Sequence, residues 1–296
     1  MKSKLNLDIV GSMYRFEALL DKIFPKVIHY RRFLNGKSME FDGYRTIQQN
    51  EDSSNIDWKA SLRSNLILAK QYVQERTTQI VFIIDVGDNM IFGSQKKLKC
   101  EYSAEMIASL FHVMITSGDK VGYLLLKDKI TQPHLPKQGK NHFDLFLHEI
   151  SNAENYGGAS DLLVGIDYFL ENFDPATDMV VLISDFNNVD ERYSDKLEKL
   201  GNSFDVIAIA VKDPLDLTLP EINKEVVLED PATSQRLLVN PKIAKNIYES
   251  NAKEKSKRLK NIFSESNIDF LELLTNHDFS VSLANFLKIR TIGGGN

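Results

Sequence analysis

The sequence predicts an α/β protein: a doubly wound, mostly parallel sheet of about six strands, with helices on both faces and an N-terminal arm in front. Three observations lead there. From residue 77 onward, apolar runs of strand length alternate with helical patterns, which implies parallel strands joined by right-handed crossovers. Two of the runs, Gln79-Ile-Val-Phe-Ile-Ile-Asp85 and Met179-Val-Val-Leu-Ile183, carry apolar residues at consecutive positions, as strands buried on both faces do. Both deliver an acid at the carboxyl end, Asp85 directly and Asp185 after Ser184. Ligands of open α/β sheets bind outside those ends.

Composition sets the limits. The chain has 296 residues, 43% of them apolar, enough to bury one large or two modest cores. No apolar stretch approaches the roughly 18 residues of a membrane-spanning helix. Met1 to Asp8 lacks the apolar centre of a signal peptide. Cys100 is the single cysteine, which excludes an internal disulfide framework and a cysteine-based zinc site. A cytoplasmic protein is the expectation. Net charge is −5, unevenly spread: residues 1–76 hold 13 basic and 9 acidic side chains (+4), leaving 23 and 32 (−9) for the remainder. Such asymmetry fits a basic arm lying on its own acidic domain or on an acidic partner.

Taken in order, Ser12 to Phe24 reads as a short helix with Phe16, Leu19, Leu20 and Ile23 on one stripe, stopped by Pro25. His29-Tyr-Arg-Arg-Phe33 interleaves basic and aromatic residues, but nucleic-acid binding is not favoured over packing of the arm. Asn50 to Asn55 is a turn-rich loop, Asp57 is a cap for a short helix or a partner of Arg63, and Trp58 is expected as an anchor packed on something larger. Leu66 to Val73 is apolar and helix- or strand-like. After the strand at Gln79 comes a helix over Leu98 to Thr116, then a strand from Val121 to Leu126 that turns at Lys127-Asp-Lys129. Its antiparallel neighbour contains Pro133 and is therefore an edge strand. Helices at Phe143 to Ile150 and Leu162 to Leu170 flank the Tyr156-Gly-Gly-Ala-Ser-Asp161 loop. A helix near Asp190 to Leu200 leads to a strand at Asp205 to Val211. A hairpin insertion follows at about 224–240, its loop holding Pro231. A long helix from Pro241 carries the solvated charge run Lys253 to Arg258, then a last strand, Asp269 to Leu274, and a last helix, Ser280 to Ile289. The predicted division is an arm over 1–76 packed on a domain over 77–291, with a tail at 292–296.

Three loops that follow strands or open helices carry oxygen ligands: Asp85-Val-Gly87-Asp88-Asn89, Gly157-Gly-Ala-Ser160-Asp161, and Ser184-Asp185. Two aspartates, an amide oxygen and a hydroxyl suit a hard cation such as Mg²⁺. The plainer alternative is that these aspartates cap the helices that follow.

The loops resemble those of a von Willebrand factor A domain, whose first loop reads Asp-x-Ser-x-Ser, whose second offers a threonine and whose third an aspartate. That resemblance implies a von Willebrand factor A-like fold and a metal-ion-dependent adhesion site, where Mg²⁺ is shared with an acidic residue of a protein partner. Carried over, the ligands would be Asp85, Asn89, Ser160 and Asp185, within a wider binding set that adds Gly87, Asp88 and Asp161. Ser160 keeps a hydroxyl, Gly87 deletes one, and Asn89 offers an amide, so the site is degenerate. More closely, the chain is similar to the domain of unknown function fifty-eight family. The motifs are Met39-Glu-Phe41, Tyr44-Arg45, Glu51-Asp52, Ile56-Asp-Trp-Lys-Ala-Ser-Leu-Arg63, Phe92-Gly-Ser94 with Lys97, Gly118-Asp-Lys-Val-Gly122 and Ile183-Ser-Asp-Phe186. Ser54 stands where the family has an arginine.

The resemblance implies a non-catalytic protein-interaction module that acts with a MoxR-type AAA+ ATPase in complex assembly or maturation, with or without Mg²⁺. The competing class is a metal-dependent hydrolase, a phosphatase or nuclease, using Asp85 and Asp185. Against it, the first loop is not Asp-x-Asp, no Lys-Ser/Thr phosphate loop is present, and the six histidines lack metal-ligand spacing.

Overall fold

The structure, a computed structural model, describes residues 4–23, 39–46, 58–64, 66–74, 77–127, 130–229 and 236–293. The expectations for His29–Phe33, the Asn50–Asn55 loop, Asp57 and the Pro231 loop lie outside these residues.

The main sheet has six strands: β3 (Gln79–Asp85), β4 (Lys120–Leu126), β5 (Thr131–Lys137), β6 (Met179–Ser184), β7 (Asp205–Lys212) and β10 (Asp269–Leu274). Their spatial order is β10-β7-β6-β3-β4-β5. All neighbours are parallel except β4 and β5, so the Pro133 strand is the antiparallel edge. This is the expected doubly wound, mostly parallel arrangement.

Strand β3 shows why both faces are covered. Ile80, Phe82 and Ile84 point into one core, and Val81 and Ile83 into the other. The first core is filled from α3 (Lys99–Thr116), α4 (Lys140–Ile150) and α8 (Phe279–Gly293), the second from α5 (Leu162–Asn172), α6 (Ser194–Ser203) and α7 (Pro241–Glu265). Phe111 of α3 anchors the first core, stacking on Phe146 at 4.2 Å and on Phe82 at 5.9 Å between ring centroids. Helix α3 is buried nearly all round, from Lys99 through Phe111, which is why a single apolar stripe understates it.

The N-terminal helix α1 (Ile9–Ile23) starts earlier than expected because Asp8 accepts the Gly11 amide and caps its first turn. Phe16 and Leu20 join the first core. Buried Glu105 of α3 receives the Asp8 amide, the Ser12 hydroxyl and the Lys97 ammonium, and so bolts α1 to the domain. The remaining arm elements are β1 (Met39–Thr46), α2 (Trp58–Ser64) and β2 (Leu68–Gln74), with β1 and β2 paired antiparallel. One expectation is corrected here: Trp58 is 62% exposed and is not a buried anchor. It lies on the first turn of a seven-residue helix. The hairpin is β8 (Val226–Glu229) and β9 (Arg236–Val239). No helix among the described residues is long and apolar enough to cross a membrane.

Candidate functional site

Strand β3 leads on one side to β4, while its neighbour on the other side, β6, enters from a later part of the chain. Between β3 and β6 the winding reverses, and that crevice is where doubly wound sheets bind ligands. Asp85 ends β3 and Asp185 follows β6, so both acids come to this switch point, each nearly withdrawn from water.

The second loop is laid on the first by backbone. Gly157 N–H donates to Val86 O at 2.8 Å, and Asp88 N–H to Gly158 O at 2.9 Å. The Asp88 carboxylate accepts the Gly158 amide at 2.9 Å. Gly157 and Gly158 have φ of 100° and 95°, a left-handed conformation that glycine alone adopts without strain. Asp88 is thus a bracket between loops. Asp161 is the N-cap of α5, accepting the Leu163 amide and the Tyr193 hydroxyl. It is exposed, at the rim of the site.

Around Asp85 every oxygen has a neutral donor. Its Oδ1 accepts the Gly87 amide at 2.9 Å, and its Oδ2 accepts Asn89 Nδ2 at 2.9 Å and the Ser184 hydroxyl at 2.6 Å. Asn89 turns its amide nitrogen to the acid and its oxygen towards Ser160 Oγ, 3.4 Å away. Asp85, Asn89 and Ser160 are therefore brought together, and Gly87 lies among them. A Cβ on Gly87 would stand 2.4 Å from Ser160 Oγ and 2.7 Å from Asn89 Oδ1.

Asp185 faces a different set. Its Oδ2 lies 2.7 Å from Lys99 Nζ and 2.9 Å from Asn187 Nδ2, and its Oδ1 accepts the Asn187 amide. Lys99 also reaches Asp216 at 3.4 Å and lies 5.6 Å from the Phe92 ring centroid. Lys212 donates to Asn187 Oδ1 at 2.6 Å, completing a buried chain of alternating charge and amide. Burial disfavours the ammonium of Lys99, but Asp185 and Asp216 outweigh it and hold its pKa above the ordinary value. Burial likewise disfavours the Asp185 carboxylate, and Lys99 followed by Lys212 outweigh it, holding its pKa down. Lys212 goes the other way: its desolvation prevails over Asp185 and Asp216. Next along, Phe186 has φ of 50°, strained for a bulky side chain, and is held there by burial against Phe263 at 5.1 Å.

Sequence reasoning placed Ser184 in the third loop without its bond to Asp85, and it missed Lys99, Asn187, Lys212 and Asp216. Lys99 carried one signal: a cation in the first turn of a helix opposes the helix dipole and requires compensation. The Phe92-Gly-Ser94 motif has a structural reason, since Ser94 donates its amide and hydroxyl to Asp213, a fully buried carboxylate at the end of β7.

As arranged, these side chains do not fit a hard divalent ion. Mg²⁺ asks for an octahedral shell of oxygens at about 2.0–2.1 Å. Asp85 already accepts three neutral donors, Asn89 among them, Gly87 contributes no side-chain oxygen, and Asp185 faces an ammonium. Among the described residues, no group of three or more His, Cys, Asp or Glu side chains is placed to hold a metal.

Known proteins place this chain as follows. The family model described as "Protein of unknown function DUF58" matches residues 43–258. The uncharacterized protein Rv1480 of Mycobacterium tuberculosis is similar at 22% identity over 291 residues, covering 96% of this chain and 90% of that protein. Among solved structures, the conserved hypothetical protein BatB from Bacteroides thetaiotaomicron is similar at 11% identity with a TM-score of 0.47, covering 73% of this chain and 99% of BatB. The SpRpn10 VWA domain is similar at 11% identity with a TM-score of 0.46, covering 70% of this chain and 94% of that domain. The family match runs from the arm's first strand through most of the sheet to the centre of α7, and the chain belongs to the DUF58 family, whose function is unknown.

Proposed function

We propose that this protein is a non-catalytic protein-interaction module that works with a MoxR-type AAA+ ATPase in complex assembly or maturation. In this reading residues 77–291 form the binding domain, residues 1–76 an arm docked on it, and the partner engages the strand-end face. The observation that carries the reading is the convergence of the three loops at the switch point, with Asp161 exposed at its rim. Membership of DUF58 and the von Willebrand factor A-like sheet support an interaction module. The two acids a hydrolase would use are engaged by structural hydrogen bonds and a lysine, an arrangement that holds loops rather than activates water.

Co-expression with a MoxR-type AAA+ ATPase, followed by affinity capture through a tag on this chain, tests the reading. A stable complex is expected, weakened by the rim substitution Asp161→Lys. Absence of any complex counts against the partner. Turnover of a generic phosphomonoester or phosphodiester that disappears in Asp185→Ala would replace this reading with the hydrolase.

A further inference from the structure

A protein cation stands against one of the two strand-end acids. Lys99 projects from the first turn of α3, is 2% exposed, and stands 2.7 Å from Asp185, the acid that the loop resemblance makes a metal ligand. Asp216 at 3.4 Å and the Phe92 ring at 5.6 Å complete its surroundings. An ammonium among two carboxylates and an aromatic face is electrostatically satisfied, whereas a divalent ion bound to Asp185 would be repelled by it at short range. The first loop agrees. Where the adhesion pattern has a serine, Gly87 leaves space that Ser160 and Asn89 have closed, so a Cβ would meet Ser160 Oγ at 2.4 Å. The Asn89 amide nitrogen, rather than its oxygen, faces Asp85.

We propose that the strand-end site is metal-independent, with the Lys99 ammonium supplying the positive charge that an adhesion-type site draws from Mg²⁺. Unlike a bound ion, Lys99 is covalently part of α3 and cannot be chelated away. The inference deepens the interaction reading of the same site, and it can be decided without the partner.

The test is a titration of Mn²⁺ into chelator-treated wild-type protein, followed by calorimetry and by the Mn²⁺ paramagnetic resonance signal. No binding is expected up to about 1 mM, the weak end of natural divalent-ion sites. The thermal midpoint should be the same in EDTA and in excess Mg²⁺, since a ligand that does not bind the native state cannot shift it. Lys99→Ala removes the resident charge, so its midpoint should fall in EDTA and rise again with added Mg²⁺ or Mn²⁺, a response lost in Lys99→Ala/Asp85→Asn. Saturable one-to-one Mn²⁺ binding by the wild type, abolished by Asp85→Asn, overturns the proposal. So does a folded Lys99→Ala that ignores divalent ions, because Lys99 would then not occupy the ion's place. If Lys99→Ala does not fold, the wild-type titration decides alone. Failure of ATPase capture leaves these results untouched, so the two readings fall separately.

Discussion

Lys99 and Asp185 lie 86 positions apart in the chain, yet their charged atoms meet at 2.7 Å with both side chains buried. The pair ties the start of α3 to the loop after β6. A buried ion pair is weak evidence for net stability, because desolvation of both charges opposes their attraction. What it does supply is a strong penalty for losing one partner.

That penalty is measurable. Lys99→Ala should lower the unfolding free energy by about 3–5 kcal/mol, since Asp185 is left buried and uncompensated. Lys99→Met combined with Asp185→Leu should cost clearly less than the sum of the two single changes. Urea denaturation of the four proteins reads the coupling, and additive losses would show that the pair does not act as a unit.

Acid sensitivity follows from the same carboxylate. Asp185 is held below its ordinary value of 3.8 by Lys99 and Lys212 against the effect of burial. The unfolded chain therefore takes up this proton at a higher pH than the folded protein. Its share of stability is complete above the ordinary carboxylate value and is lost as pH falls below it and through the depressed folded pKa. The urea midpoint should drop between neutral pH and about pH 3, and Asp185→Asn should flatten the drop.

Gly87 is the position where the adhesion pattern and this chain part. Gly87→Ser should destabilise by about 1–3 kcal/mol, the usual cost of overpacking. Ser160→Gly in the same protein removes both the hydroxyl and the Cβ that a new side chain would meet, at 2.4 and 2.9 Å. Thermal melts should show the double variant recovering most of the loss caused by Gly87→Ser.

Glu105 carries the docking of α1. Glu105→Ala removes the acceptor for the Asp8 amide and the Ser12 hydroxyl and leaves Lys97 without its carboxylate. Amide hydrogens of residues 9–23 should then exchange much faster while those of β3 and β6 keep their protection. Equal acceleration throughout would mean that α1 and the sheet unfold together.

The fold was legible because its signals are local. The consecutive apolar residues of β3 and β6 state burial on both faces, and the helical stripes between strands dictate the crossovers. The acids at the strand ends then mark the carboxyl edge, where sheets of this kind bind ligands. Trp58 shows the limit of this reasoning. A large apolar side chain indicates a preference for burial, yet on this seven-residue helix Trp58 is mostly exposed. Helix boundaries moved for a related reason, since Asp8 caps α1 through one side chain whose effect periodicity does not register.

The sequence by itself determined the alternation of elements, the placing of Asp85 and Asp185 at carboxyl ends, the glycines of the second loop and the missing hydroxyl at Gly87. Only the tertiary structure decided what those acids face. Ser184 meets Asp85 from 99 positions away, and Asp216 approaches Lys99 from 117. Such partners are chosen by strand order and by the direction in which α3 leaves β3, and neither is encoded in the spacing of residues along one element. Side-chain chemistry is local, whereas electrostatic partnership in a buried crevice belongs to the whole sheet.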